Sequence, residues 1–569
     1  MKYTRTICVL IAVALFSVLT DSSIAFGQKL KPGPQDLSFF SKADETDQPY
    51  AIYIPQNFDE SKKYPLVVFL HGAWSNHRLG LRRVFGQGNL PLPGMNTPGN
   101  IQRESDAEAS RYFPPLKDAG YIVAAPYARG TAGYQGIPEQ DVYEMLDDIK
   151  SRFLIDEDRI YLTGLSMGGG GTIWLGLTRP DIWAAIAPCC PAPPEESGEI
   201  ACNALNLPVH LFVGDEDFLY KTVLEWKTRF ETHTSHLDYA EYPGIGHNSW
   251  DYAYRDGFIF EWFSQFKRDM FPREVKFATR WFKYSKAYWV KLDNFTPGTL
   301  TTVNAGFAGE NNIEIKTDNL EALSLNLAGH PMFNPSKRVS VKIDGKSFSV
   351  STADGVSFMK VNGSWTNRKF TPPLISKRPG AEGPISAAVR SNHIYVYGTG
   401  GNPSQEELAS RRALAASAAD WSGMGGRIMV FPRVLSDKEL RESDFDNSNI
   451  ILFGTRESNL VIEKLADRLP FHLKDEVKNL GLVYIFPLND RYVLVNSGLP
   501  WWTAPRKSRE QGGMAFMGSK IDMLKNYKDF ILFRDSPDNI VSEGYFDNNW
   551  ELPVGAGAAM KNSGVINLK

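Results

Sequence analysis

A serine becomes a nucleophile when the chain lifts it onto a tight turn and brings a base to it, and Gly164-Leu165-Ser166-Met167-Gly168 is a pentapeptide of that kind. The G-x-S-x-G pattern alone occurs by chance, so its setting decides. It follows an apolar run, Ile160 to Thr163, and opens a helical run through Trp174 to Thr178 that ends before Pro180. Strand, sharp turn and helix form the arrangement that exposes a serine hydroxyl above a sheet edge. The helix N-terminus beneath it favours developing negative charge.

A base and an acid should follow in the order serine, acid, histidine. His247 stands in the loop Tyr242 to Asn248, downstream of Ser166. Between them Val209 to Val213 reads as a buried strand, followed by Gly214-Asp215-Glu216-Asp217. Asp217 is expected to orient the His247 ring and stabilise the imidazolium. Asp215 is the rival, read as a residue that caps the turn. Two backbone donors are needed for an oxyanion. Met167 directly after the serine is one candidate. The other is Ala73 or Trp74 in His71-Gly72-Ala73-Trp74, which directly follows the strand Leu66 to Leu70. His71 is then structural.

These residues need a parallel sheet to carry them. Leu66 to Leu70, Tyr121 to Ala125, Ile160 to Thr163 and Val209 to Val213 are continuous apolar runs. Between them lie helical stretches such as Glu139 to Phe153, with Val142, Met145, Leu146 and Ile149 at helical spacing. That alternation predicts a sheet covered on both faces. The stretch from Arg78 to Tyr112 has no clean period and reads as an insertion. After Phe271-Pro272 the pattern changes to short strands: Tyr288 to Leu292, Ile313 to Ile315, Ala322 to Leu327 and Val339 to Ile343, with a turn at Asp344-Gly345. From Pro372 strands at Ile394 to Tyr397, Ile428 to Phe431, Ile450 to Phe453, Leu482 to Phe486 and Tyr492 to Val495 accompany helices at Gln405 to Ala419 and Asn459 to Leu465.

The set His71-Gly72, Gly164-x-Ser166-x-Gly168, Gly214-x-x-Asp217 and Gly246-His247 resembles the α/β-hydrolase superfamily. Gly136 to Val142 followed by Asp156 to Tyr161 is similar to the helix and strand before the serine in secreted carboxylesterases and prolyl-oligopeptidase-like hydrolases, a group with feruloyl esterases and polyhydroxybutyrate depolymerases. The resemblance covers about 50–271. It implies an α/β-hydrolase fold, followed here by a β-rich module and a second α/β module, and it carries the triad roles of Ser166, Asp217 and His247. The implied activity is an exported serine hydrolase cleaving carboxyl esters, with acetyl or feruloyl esters on polysaccharide as a candidate substrate class. A serine peptidase is the first alternative, because the same machinery cleaves amides. A surface binding or scaffold protein with a secondary hydrolase domain is the second. Lys377 to Ile385 and Asn449 to Gly454 are similar to markers of a C-terminal extension on exported bacterial members, which implies no activity.

The chain has 569 residues, 43% of them hydrophobic and 22% charged, which suits several globular domains rather than disorder. Lys+Arg number 62 and Asp+Glu 65, so no general positive field exists to bind nucleic acid, and no nucleic-acid partner is expected. Lys2 and Arg5 precede an apolar run from Ile7 to Leu19 and small residues at Ala25 and Gly27, a pattern that reads as a secretory signal. Expected boundaries are 1–27 for the signal, 28–273 for the catalytic domain, 280–370 for the β-rich module and 372–569 for the last. A secreted or periplasmic location follows, with no integral membrane segment after signal removal. Export favours a disulfide from Cys202 to Cys189 or Cys190. No cofactor or metal is expected. Gly398 to Gly401 and Gly423 to Gly426 lack a full phosphate-loop pattern and read as turns.

Overall fold

The computed structural model describes residues 30–92, 102–352, 355–422, 428–475, 477–503 and 520–569. The expected signal at 1–27 and the glycines at 423–426 lie outside the described residues.

The N-terminal domain is an eight-stranded sheet. Its strands are β1 Gly33–Ser41, β2 Thr46–Ile54, β3 Tyr64–Leu70, β4 Ile122–Pro126, β5 Ile155–Leu165, β6 Ala185–Cys189, β7 Val209–Gly214 and β8 Leu237–Tyr242. The spatial order is β1-β2-β4-β3-β5-β6-β7-β8. β1, β2 and β4 pair antiparallel, and the rest of the sheet is parallel. β3 shows why its run is uninterrupted in apolarity. Leu66, Val68 and Leu70 enter one core with Ile173 and Trp174, whereas Val67 and Phe69 enter the opposite core with Ile259 and Phe263. A strand buried on both faces has no polar side to alternate.

The helix Met167–Thr178 follows β5 directly and is buried along its whole length. The helix Ile137–Arg152 packs its Val142, Met145, Leu146 and Ile149 into the same core. The stretch expected as an aperiodic insertion from Arg78 starts inside an ordered helix, His77–Val84, capped by the Asn76 side chain. Its Arg82 and Arg83 are buried. Arg82 binds the Ala109 and Gly88 carbonyls and Glu104, and Arg83 binds Asp106. Arginines that face inward to hold a loop break the apolar period by which a helix is recognised.

Two five-stranded sheets follow. One holds Lys286–Ala287, Val290–Phe295, Leu320–Leu325, Val356–Val361 and Ser364–Thr366, and the other Glu274–Thr279, Thr301–Gly309, Asn312–Asp318, Val339–Ile343 and Lys346–Val350. Alternate residues such as Val303, Ala305, Phe307, Ile313 and Ile315 meet in one core between them. Asp344 and Gly345 form a two-residue hairpin turn with φ of 48° and 87°, between the paired Ile343 and Lys346. The first strand of this module begins at Glu274, ahead of the expected 280, because Glu274–Thr279 pairs with Thr301–Gly309. Strand Val290–Phe295 starts two residues later than expected, since Tyr288 has φ of 54°.

The third domain is a seven-stranded sheet in the order Arg433–Ser436, His393–Tyr397, Asn449–Phe453, Arg491–Gly498, Leu480–Leu488, Phe530–Arg534, Ile540–Gly544. The first four strands are parallel and the remainder antiparallel. The helix Gln405–Ala419 connects the first two in sequence. The expected strand Ile428 to Phe431 is not part of this sheet. Its Ile428 makes a single bridge to Gly130 of the N-terminal domain, and Arg433–Ser436 fills the edge position instead. An apolar run this short carries no signal for which sheet edge it joins.

Candidate active site

Ser166 has φ of 54° and ψ of −117°, between the end of β5 and the helix Met167–Thr178. That backbone is strained for a residue with a Cβ, and the packing around it leaves no room to relax. A Cβ on Gly168 would stand 2.1 Å from the Leu70 carbonyl oxygen. Only glycine lets the start of this helix pack this closely on the end of β3.

The His247 ring meets the serine. In the tautomer with the proton on Nδ1, Ser166 Oγ donates to Nε2 at 2.9 Å, and Nδ1 donates to Asp217 Oδ1 and Oδ2 at 3.0 and 2.9 Å. The Asp217 side chain is buried, and its Oδ1 also accepts from the Leu219 amide at 2.8 Å. Asp215 is exposed and accepts from the Gly244 amide at 2.7 Å, which fastens the turn of the histidine loop. The loops after β7 and β8 touch closely: a Cβ on Gly214 would lie 2.0 Å from the Ile245 carbonyl. Burial of the His247 ring works to lower its pKa. The hydrogen bond that the ring donates to Asp217 and the negative charge nearby outweigh that, so the pKa is raised above the ordinary 6.5. Phe218 and Trp250 flank the ring with centroids 4.4 and 5.3 Å away.

On the other side of Ser166 lies the loop after β3. Gly72 sits against Leu165 and Ser166. The expected donor pair changes here. The Trp74 amide donates to Thr131 Oγ1 at 2.9 Å, so it is not available to an oxyanion. The Ala73 and Met167 amides make no hydrogen bond among the described residues. His71 is fully buried, its Nε2 2.9 Å from the Tyr127 carbonyl and its Nδ1 2.7 Å from the Gly72 carbonyl, and the neutral ring donates to one of the two. Burial pushes its pKa down. It braces the loop and is not placed to act as a base.

The bracing segment 127–134 carries no motif in the sequence, although it follows β4 where loops of parallel sheets carry function. Tyr134 donates to the His71 carbonyl at 3.0 Å, and Thr131 holds Trp74. Arg129 is buried, with Nε donating to Asp141 at 2.6 Å, Nη2 to Ser41 Oγ at 2.7 Å and Nη1 to Asp44 and to the Met429 carbonyl at 3.1 Å.

The expected disulfide is absent: Cys189, Cys190 and Cys202 are all free thiols. Cys189 and Cys190 belong to one face of the sheet and Cys202 to the other, so the sheet itself separates them. Cys190 Sγ lies 3.5 Å from the His247 carbonyl, and the Cys190, Asp217 and His247 ligand atoms fall within 4.8 Å of one another. Burial raises the Cys190 thiol well above its ordinary pKa, which opposes the thiolate a metal would need. Gly398 to Gly401 pack against a neighbouring loop, with Arg411 donating to the Gly398 and Gly400 carbonyls at 3.3 and 2.9 Å.

Residues 41–196 match the protein family described as "Putative esterase". The sheet order, the strained serine between β5 and its helix, and this match agree. The N-terminal domain has the α/β-hydrolase fold. Among curated proteins, dipeptidyl-peptidase 5 of Aspergillus fumigatus is 28% identical over 158 residues, covering 25% of this chain and 18% of that protein. A probable dipeptidyl-peptidase 5 of Aspergillus terreus is 26% identical over 172 residues, covering 27% and 20%. The matched part is thus about a fifth of the length of those relatives. Among solved structures, a ferulic acid esterase is 19% identical with a TM-score of 0.33, covering 42% of this chain and 99% of its own. A fluorophosphonate-binding serine hydrolase of Staphylococcus aureus, solved with substrate, is 18% identical with a TM-score of 0.30, covering 42% and 98%. No helix among the described residues is long and apolar enough to cross a membrane.

Proposed function

We propose that this protein is an exported serine hydrolase that cleaves carboxyl esters with Ser166, His247 and Asp217. The observation that carries the reading is the unbroken line of hydrogen bonds from Ser166 Oγ through the His247 ring to Asp217. Ser166 Oγ attacks the ester carbonyl carbon as its proton passes to His247 Nε2, and the carbonyl electron pair moves onto oxygen. The Ala73 and Met167 amides stabilise that oxyanion. Collapse breaks the bond to the alcohol, which leaves with the proton from His247. Water then attacks the acyl-serine, giving its proton to His247, and the second collapse returns it to Ser166. Asp217 keeps the ring in the tautomer that can accept and stabilises the imidazolium.

The matched esterase family favours esters. The peptidase relatives support amide cleavage as the second reading, since 158 residues of this chain align with theirs. The amino-terminal pattern supports export. Polysaccharide-linked acetyl or feruloyl groups are the proposed substrate class. The test is a screen of the purified mature protein on acetyl, feruloyl, short-chain aliphatic and peptide amide substrates beside Ser166→Ala. Ester turnover that vanishes in the variant is expected. Turnover only on amides would replace the ester reading, and ester turnover that survives in the variant would overturn the assignment of Ser166.

A further inference from the structure

One buried thiol beside the triad has no part in the chemistry proposed above. Cys190 follows β6 and is held by its backbone, with φ of 37° and its amide donating to the Phe212 carbonyl of β7 at 2.8 Å. Its Sγ donates to the His247 carbonyl at 3.5 Å, so the thiol lies against the histidine loop. The Cys190 sulfur, the His247 ring and the Asp217 carboxylate each offer one ligand atom, and the three atoms lie within 4.8 Å of one another. The ring faces Asp217 with Nδ1, at 3.0 and 2.9 Å from the two carboxylate oxygens. Among the described residues no other three histidine, cysteine or acidic side chains converge in this way.

The identity of the donors selects the cation. Bonds of about 2.0–2.3 Å to a single ion set imidazole, thiolate and carboxylate donors about 3–4 Å apart. Side-chain rotation is enough to close the three donors to that spacing. A hard cation prefers an all-oxygen shell, whereas sulfur and imidazole together suit a softer one such as Zn²⁺ or Cd²⁺. Cys190 is fully buried, and burial keeps its thiol protonated. A cation takes this site only if its bond to sulfur offsets the loss of that proton. The Asp217 side chain is fully buried too, and its negative charge serves the ion as it serves the ring. The His247 side chain is 25% exposed, which gives the ion a way in.

We propose that Cys190, His247 and Asp217 form an inhibitory site for a soft divalent cation. Its consequence for activity rests on the serine-hydrolase reading. The ion bonds to Cys190 Sγ, His247 Nδ1 and an Asp217 oxygen. The thiol proton goes to solvent, and the ring proton moves from Nδ1 to Nε2. Nε2 then carries a hydrogen and cannot accept the Ser166 proton, while Asp217 is drawn from the ring to the metal. The nitrogen that fixes the active tautomer becomes the one that locks the inactive tautomer.

The full-length protein and its Cys190→Ser variant are compared in 4-nitrophenyl acetate hydrolysis as CdCl₂ or MgCl₂ is added. Cys190→Ser should keep its basal turnover, because Sγ takes no part in the proton transfers. The Cd²⁺ concentration for half-inhibition should rise at least about tenfold in the variant, the lower bound seen when a group that supports a bound metal is lost. Mg²⁺ should leave both proteins unchanged, and a chelator should restore the wild-type rate. Cys202→Ser, on the other face of the sheet, should respond as wild type. A second measurement needs no turnover: Cd²⁺ titrated into Ser166→Ala protein should raise the ultraviolet charge-transfer band of a cadmium–thiolate bond. That band should persist with Cys202→Ser and vanish with Cys190→Ser, or with Cys190→Ala if the serine variant does not fold. Equal inhibition of wild type and Cys190→Ser, inhibition by Mg²⁺ as strong as by Cd²⁺, or a band that persists without Cys190 would overturn the proposal. Ester turnover that Cd²⁺ leaves untouched would do the same. A wild-type protein that hydrolyses no ester, yet shows the Cys190-dependent band, would sink the hydrolase reading and leave the metal site standing.

Discussion

The acid-histidine side of Ser166 and its oxyanion side are built in different ways. On the first, Asp217 and His247 stand on consecutive strand-end loops, and their supports are close by: Leu219 to Asp217, Gly244 to Asp215. On the second, the loop His71 to Trp74 is held by Tyr127, Thr131 and Tyr134. That brace is held in turn by Arg129, whose partners are Ser41, Asp44, Asp141 and Met429. The groups proposed to move protons are secured locally. The groups proposed to stabilise charge are secured by a buried ionic network that reaches another domain. Preorganised donors act through fixed position, so the more elaborate support falls where position matters most.

The comparison can be broken at several points. The largest effect is expected for Ser166→Ala, with kcat reduced on the order of 10⁶-fold. Its melting temperature should not fall, because the change removes one hydroxyl from a strained turn. More than a tenth of wild-type turnover would remove the serine from the mechanism.

Asp217→Asn should reduce kcat on the order of 10⁴-fold by favouring the wrong tautomer. Asp215→Asn should lose only about threefold, since it disturbs one turn bond on the scale of a neutral hydrogen bond. The pH profile sharpens the pair. The base must be neutral, and the His247 pKa is raised above 6.5, so kcat/KM should fall on the acid side with a midpoint above 6.5. Removing the Asp217 charge should move that midpoint down. Equal rates for the two asparagine variants would reverse their roles.

Arg129→Met tests the distant side of the network. It leaves Asp44 and Asp141 buried without their partner, which costs about 3–5 kcal/mol. Urea unfolding of the full-length variant reads this directly. A change below about 1 kcal/mol, the range of a surface pair, would mean that the network is not structural.

The smallest effect on the oxyanion side is expected for Thr131→Val, which keeps the shape and removes the acceptor for the Trp74 amide. The oxyanion loop loosens, so kcat should drop about tenfold, the equivalent of 1.4 kcal/mol, with KM unchanged. A rise in KM alone would place Thr131 in substrate binding instead.

The boundary at Phe271-Pro272 predicts a first domain that works alone, and the structure shows what such a cut removes. Trp174, on the helix that begins at Met167, meets Trp281 and Tyr284 edge-on at 5.3 and 5.9 Å. Glu139 accepts from Tyr284 OH at 2.6 Å and pairs with Lys283 at 2.9 Å. Asn203 exchanges hydrogen bonds with the Ala278 backbone. A chain ended near Arg273 would leave these groups uncovered behind the nucleophile. An acid and an aromatic that lose partners more than a hundred positions away have no signature in their own neighbourhood.

The sequence by itself determined the parallel sheet, the turn at Ser166 and the order of serine, acid and histidine. These depend on local chemistry: continuous apolar runs where strands are covered twice, glycines where backbone meets backbone, and a helix that starts where its strand ends. Even the choice of Asp217 over Asp215 for the ring was legible, because two residues of loop length decide which carboxylate can reach back. Tertiary structure alone decided that the Trp74 amide is taken by Thr131, that Cys202 is walled off from Cys189 and Cys190, and that the Met429 backbone meets Arg129. Each is a pairing between segments that no period or spacing links, and such pairings exist only once the sheets have packed and brought them together.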